Sequence, residues 1–151
     1  AREGNPSAVE FPRAKVGDTL NFSFSGLKTA VIRYAEKRKE DVSINDLAAS
    51  FQQAVVDVLV DHTFRAAQEY KVDQVLLAGG VAANSRLKAD VLAKGEELGI
   101  RVDVPPLSLC TDNAAMAAAA AYYRIEPGHI SDFYLDCVAL EPLGERVYSN
   151  P

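Results

Sequence analysis

Apolar positions along this chain change rhythm several times, and each rhythm predicts an element. The opening stretch from Ala1 to Leu20 has no rhythm: Pro6, Pro12 and a Gly17-Asp18 turn signal read as extended, irregular chain. Asn21-Phe22-Ser23-Phe24 then alternates with period two, the pattern of a short strand. Ser25 is a residue type that caps helices, and Leu27, Ala30, Val31 and Tyr34 follow it at helical spacing. The mixed-sign run Lys37-Arg38-Lys39-Glu40-Asp41 ends that helix as a solvated turn. A long helix is predicted from about Ser43 to Tyr70. Leu47, Phe51, Ala54, Val55, Val58, Leu59 and His62 share its apolar face, while Ser50, Asp57, Asp61 and Gln68 face away.

Beyond it the apolar run Gln74-Val75-Leu76-Leu77-Ala78 predicts a buried strand. Gly79-Gly80 leads into a helix predicted from about Val81 to Leu98, and Arg101-Val102-Asp103-Val104 is a second strand. Pro105-Pro106 opens a loop before an Ala-rich helix from Asp112 to about Tyr123, whose small side chains suit tight packing. Pro127-Gly128 breaks the chain, and the alternation through Phe133, Leu135, Cys137 and Ala139 predicts a last strand. Strand, helix, strand, helix is the order of an α/β domain with helices against a sheet. The expected organisation is a lead-in over 1–20, one α/β lobe over 21–140 and a polar tail over 141–151.

Composition narrows the class. The chain has 151 residues, 48% hydrophobic and 25% charged, as expected of a single domain able to bury a core. No apolar run approaches the roughly 20 residues of a membrane helix, and the polar opening is not a signal peptide. With no initiating Met, the chain reads as an excised fragment or processed product. Cys110 and Cys137 lie far apart, outside any CxxC spacing, and read as reduced thiols in a cytoplasmic protein. A net charge of −5 argues against strong, autonomous binding to a phosphate backbone.

Two junctions could carry chemistry. In Leu77-Ala78-Gly79-Gly80-Val81-Ala82-Ala83-Asn84, paired glycines after a strand let backbone approach a ligand, and a helix start favours anions. Asn84 would then lie one helical turn in, with an amide that donates and accepts. The bland alternative is a tight turn beside a surface Asn, since this is neither GxGxxG nor a P-loop. In Leu109-Cys110-Thr111-Asp112-Asn113, Thr111 or Asp112 could cap the next helix. Alternatively, Asp112 places a carboxylate where ligands or cations bind, outside the carboxyl ends of sheet strands. His62 reads as a satisfied core or boundary residue, and His129 sits in a loop. No HExxH, CxxC or GxSxG completes a metal or nucleophile site.

Taken together, Phe22-Ser23-Phe24-Ser25-Gly26-Leu27-Lys28-Thr29, Ala78 to Leu87 and Cys110 to Met116 occur in an order that resembles the TsaD/Gcp family of tRNA threonylcarbamoyl transferases. Gly4-Asn5-Pro6 and Phe11-Pro12-Arg13 add to the likeness, which covers about residues 4 to 125. The resemblance implies one lobe, the C-terminal one, of an actin/Hsp70/sugar-kinase-like (ASKHA, ribonuclease H-like) fold. It implies transfer of a threonylcarbamoyl group from threonylcarbamoyl-AMP to N6 of an adenosine beside the tRNA anticodon, the t6A modification, with small partner proteins. By resemblance, Gly79, Gly80 and Asn84 contact the adenylate, and Asp112 is the carboxylate ligand of one divalent metal, iron or zinc. The other two ligands are histidines of an HxxxH motif that this chain lacks, and His62 and His129 do not replace them. The chain alone is therefore expected to be inactive, and no catalytic proton acceptor is assigned. The alternatives are a non-catalytic nucleotide- or partner-binding lobe and a sugar-kinase or Hsp70-like ATPase, which shares the fold but not these motifs. For tRNA, positive surface comes either from outside this chain or from a patch of Lys28, Arg33, Lys37, Arg38 and Lys39.

Overall fold

The computed structural model describes residues 1–13, 19–37 and 42–134. Contacts gather the chain into two compact units, Ala1–Thr111 and Asp112–Pro151. The first holds three helices, α1 (Ser25–Glu36), α2 (Ile44–Glu69) and α3 (Ser85–Leu98), and two strands, β1 (Gln74–Leu76) and β2 (Arg101–Asp103). The second holds α4 (Ala114–Ile125). With four helices and a small parallel sheet among the described residues, the chain is a mixed α/β protein.

Helix α2 is the axis of the first unit. Its start is fixed by a reciprocal cap. Ser43 Oγ accepts from the Asp46 N–H at 3.0 Å and donates to Asp46 Oδ2 at 2.8 Å, satisfying a donor that the helix leaves unpaired. One side of α2 supplies Ala54 to a core with Phe11 and Leu27. Another side supplies Val56 and Phe64 to a core with Leu87 and Val91 of α3. Leu77, Ile100 and Val102 pack on that second core and hold the sheet against it. Strands β1 and β2 run parallel, with Val75 opposite Val102, and α3 forms the crossover that parallel strands require.

The N-terminal half of the polar side of α2 is occupied by the opening segment. Asp46 Oδ1 accepts from Asn5 N–H at 2.6 Å, and Ser50 Oγ donates to the Asn5 carbonyl at 3.2 Å. Ser50 also accepts from Val9 N–H at 3.1 Å, and Arg13 grips Asp57 Oδ2 through Nε and Nη2 at 3.0 and 2.6 Å. Ser50 is accordingly buried, and Phe11 is seated in the core by this stitching. Of the residues expected to face outward, Ser50 and Asp57 therefore bind the opening segment, while Asp61 and Gln68 are exposed as expected. Polarity alone did not reveal this, because the partners lie 41 to 45 residues away.

Other expectations are corrected. Residues 21–24 form no strand, since a strand needs a partner and no described residue pairs with them. The Phe22 and Phe24 rings instead lie 5.3 Å apart, and Phe22 meets the edge of His62 at 5.1 Å. Ser25 does not cap α1: it is the first helical residue, and Phe24 holds the cap position with no side-chain bond. The β1 strand is shorter than expected and only half covered, with Leu76 68% exposed. No α4 residue is buried, so the tight packing expected of its alanines is not seen among the described residues. Phe133 and Tyr134 lie in a turn, while the rest of the last strand, the tail, Arg38–Asp41 and the Gly17-Asp18 signal lie outside the described residues.

Candidate functional site

The first junction begins where β1 ends. Leu77 N–H still donates to the Asp103 carbonyl at 3.0 Å, and the chain then turns at Gly79 with φ +84°. That backbone region is closed to ordinary L residues, so Gly79 is required by conformation. A single 3-10 turn, Gly80–Ala83, follows, closed by Ala82 N–H to the Gly79 carbonyl at 3.0 Å and Asn84 N–H to the Val81 carbonyl at 2.9 Å. Ala82 is buried and anchors the turn, whereas Val81 stands 63% exposed.

Asn84 is not one turn inside a helix. It is the N-cap of α3, and its Oδ1 accepts from Arg86 N–H at 3.0 Å and Leu87 N–H at 3.1 Å. The reason is general: an Asn oxygen competes for nearby backbone donors, which favours caps over helix interiors. The 3-10 turn takes up three of the four residues by which the expected helix started too early, and the Asn84 cap is the fourth. Gly79, Gly80 and Asn84 are thereby brought onto one short connection. Of the three, Asn84 alone lines a depression of about 620 Å³, together with Arg2, Gln52, Ser85 and Arg86 among others; Gly79 and Gly80 do not line it. Sequence reasoning passed over Gln52, whose Oε1 accepts from Asn84 Nδ2 at 3.2 Å. Only a three-dimensional contact between α2 and the α3 cap reveals it.

The second junction lies at the head of the second unit. Neither Thr111 nor Asp112 caps α4. Asn113 does, with an extended backbone and Oδ1 accepting from Met116 N–H at 3.1 Å. Asn caps about as well as Asp, so the residue nearer the first turn takes the role. Asp112 is exposed, and no described residue donates to its carboxylate. Just before it, Cys110 is a free, buried thiol aimed at the Pro105 and Pro106 carbonyls at 3.7 and 3.6 Å, a packing role.

The histidine expectation holds in part. His62 is 4% exposed and its Nδ1 bonds the Val58 carbonyl at 2.9 Å, but Nε2 is buried with no partner among the described residues. Among the described residues no three His, Cys, Asp or Glu side chains cluster as a metal ion would need. Asp112 fits the chemistry of a single oxygen ligand, because capping does not consume its carboxylate. Lys28, Arg33 and Lys37 belong to α1 or its end, while Arg38 and Lys39 lie outside the described residues. No described helix is long and apolar enough to cross a membrane.

The described residues thus form a mixed α/β protein in which a parallel strand runs into a glycine turn and a capped helix. Residues 1–119 match the family described as tRNA N6-adenosine threonylcarbamoyltransferase, TsaD. The enzyme of that name from Clostridium botulinum strain 657 (type Ba4) is 47% identical over 150 residues, which is 97% of this chain and 44% of the relative. Its counterpart from Clostridium perfringens strain 13 (type A) is 45% identical over the same shares. The chain belongs to the tRNA N6-adenosine threonylcarbamoyltransferase family, and it spans less than half the length of these curated relatives.

Proposed function

We propose that this chain is the C-terminal lobe of a cytoplasmic threonylcarbamoyl transferase of t6A biosynthesis, one lobe of an actin/Hsp70/sugar-kinase-like fold. Its substrates are threonylcarbamoyl-AMP and tRNA, and it works with small partner proteins. In the reaction, the adenosine N6 amine attacks the carbamoyl carbon. A C–N bond forms, the C–O bond to the adenylate phosphate breaks, AMP leaves with the bonding pair, and the amine loses a proton. Gly79 and Gly80 admit the adenylate to the backbone, and Asn84 offers it an amide N–H. Asp112 is one oxygen ligand of a divalent metal, iron or zinc, with two histidines of an HxxxH motif outside this chain. When bound, such a metal supplies Lewis acidity toward the donor carbonyl. One carboxylate does not hold a transition metal selectively, so the chain by itself is inactive.

The observation that carries the reading is the capping of α4 by Asn113, which leaves the neighbouring Asp112 carboxylate without a structural task among the described residues. A residue that neither caps nor packs is free to serve a ligand. The test is Asp112→Asn in the complete protein. Asn keeps the shape but brings no negative charge to a cation. We expect an unchanged melting temperature for the metal-free protein, metal content well below one per chain, and a large loss of transfer. That loss should be at least the roughly 10–100-fold that changes in outer-shell partners already cost. Elemental analysis and a tRNA modification assay read both. Full metal with near-normal transfer would return Asp112 to an ordinary loop position.

A further inference from the structure

Once Asn84 caps α3, its amide has little freedom. The two bonds that Oδ1 accepts from Arg86 and Leu87 settle which end is oxygen, so Nδ2 must face the other way. There it meets Gln52 Oε1 at 3.2 Å, across 32 residues of chain and from a half-buried position on α2. Gln52 must present oxygen to that donor, which turns its own Nε2 outward, and no described residue accepts from Nε2. The pair thus has donors left over among the described residues: the second N–H of Asn84 and those of Gln52. Gln52 and Asn84 also line both depressions on this face. One is the polar depression that includes Arg2 and Arg86. The other is an apolar one of about 300 Å³ that includes Phe51, Val55 and Val81.

We propose that Gln52 is a positioning residue of the adenylate site, acting through Asn84. It holds the Asn84 amide so that its free N–H points at an acceptor atom of the ligand, a ring nitrogen or a phosphate oxygen. Without Gln52 the Nδ2 group is held at neither hydrogen, and the side chain is fixed by its cap bonds alone. The inference rests on the adenylate reading of Gly79, Gly80 and Asn84.

The experiment is a double-mutant cycle in the complete protein, with AMP binding read by calorimetry. Gln52→Met removes the acceptor at similar volume. Asn84→Ser keeps a good cap but removes the amide donor. We expect Gln52→Met to weaken AMP by about three- to tenfold, the range of one ordinary hydrogen bond. Asn84→Ser should cost at least as much, and the double variant no more than Asn84→Ser alone, because Gln52 acts only through Asn84. Gln52→Glu supplies the rescue, since a carboxylate also accepts from Nδ2. With uncharged adenosine as probe, so that the new charge meets no phosphate, its affinity should stay within about twofold of the parent. Unchanged AMP affinity in Gln52→Met, or additive losses in the double variant, would overturn the positioning role while leaving the adenylate site intact. If the parent protein binds neither AMP nor adenosine, the adenylate reading falls first and the positioning role with it.

Discussion

A Cβ added at Gly95 would lie 2.5 Å from Val102 Cγ2 and 2.8 Å from the Ile100 carbonyl, because α3 rests directly on β2 at that point. At Gly80 the same atom would meet nothing within 4 Å. The chain therefore fills the space at Gly95 and leaves it open at Gly80, which separates a glycine required by packing from one that is not. We expect Gly80→Ala to leave stability within about 0.5 kcal/mol, as for surface changes generally, and to weaken AMP binding in the complete protein. Denaturant midpoints and calorimetry check the two halves, and unchanged AMP affinity in the folded variant would make the turn merely structural. Residue types at this junction were legible in the sequence; residue roles were less so. Paired glycines and an Asn signalled a turn near a helix start, but the four-residue 3-10 turn that makes Asn84 a cap has no hydrophobic period to announce it. The same gap of a residue or two moved the α4 cap from Thr111 or Asp112 to Asn113.

At the level of elements, the long helix was legible almost to the residue, since Ser43 and Tyr70 are the caps of α2. Twenty-six residues of apolar periodicity outweigh local ambiguity. The short strand at 21–24 was misread because four alternating residues carry too little information without a partner. The stitching along α2 gives a pH dependence. Asp46 is held below the ordinary aspartate value, first by the Asn5 backbone N–H and then by the Ser43 hydroxyl. A depressed carboxylate stabilises the fold fully above its unfolded value, and that contribution is lost as pH falls through the folded one. The Asn5–Asp46 contact should thus hold at neutral pH and loosen only below the ordinary carboxylate range. NMR titration of the Asn5 amide checks this: its shift should follow an acidic midpoint that vanishes in Asp46→Asn. An Asn5 amide indifferent to acid in the parent protein would remove Asp46 as the anchor.

For the whole molecule, membership of the family was legible from three short motifs in order, while the layout of each site required coordinates. The chain spans 44% of its Clostridium relatives, and no described cluster of side chains completes a metal centre. We expect the isolated 151-residue chain to unfold cooperatively, retain less than stoichiometric iron or zinc, and give background transfer with donor, tRNA and partners supplied. Stoichiometric metal or measurable turnover by the chain alone would contradict the division of the site proposed above.

The grip of Arg13 on Asp57 spans 44 residues, and that span is also an interval of time. At synthesis rates of about 5–20 residues per second, Asp57 follows Arg13 by roughly 2–9 s. Throughout that interval Val9 and Phe11 have emerged without the helix that will cover them. A translational pause before α2 would lengthen their exposure, and with it the opportunity for aggregation, without altering a single atom of the finished fold.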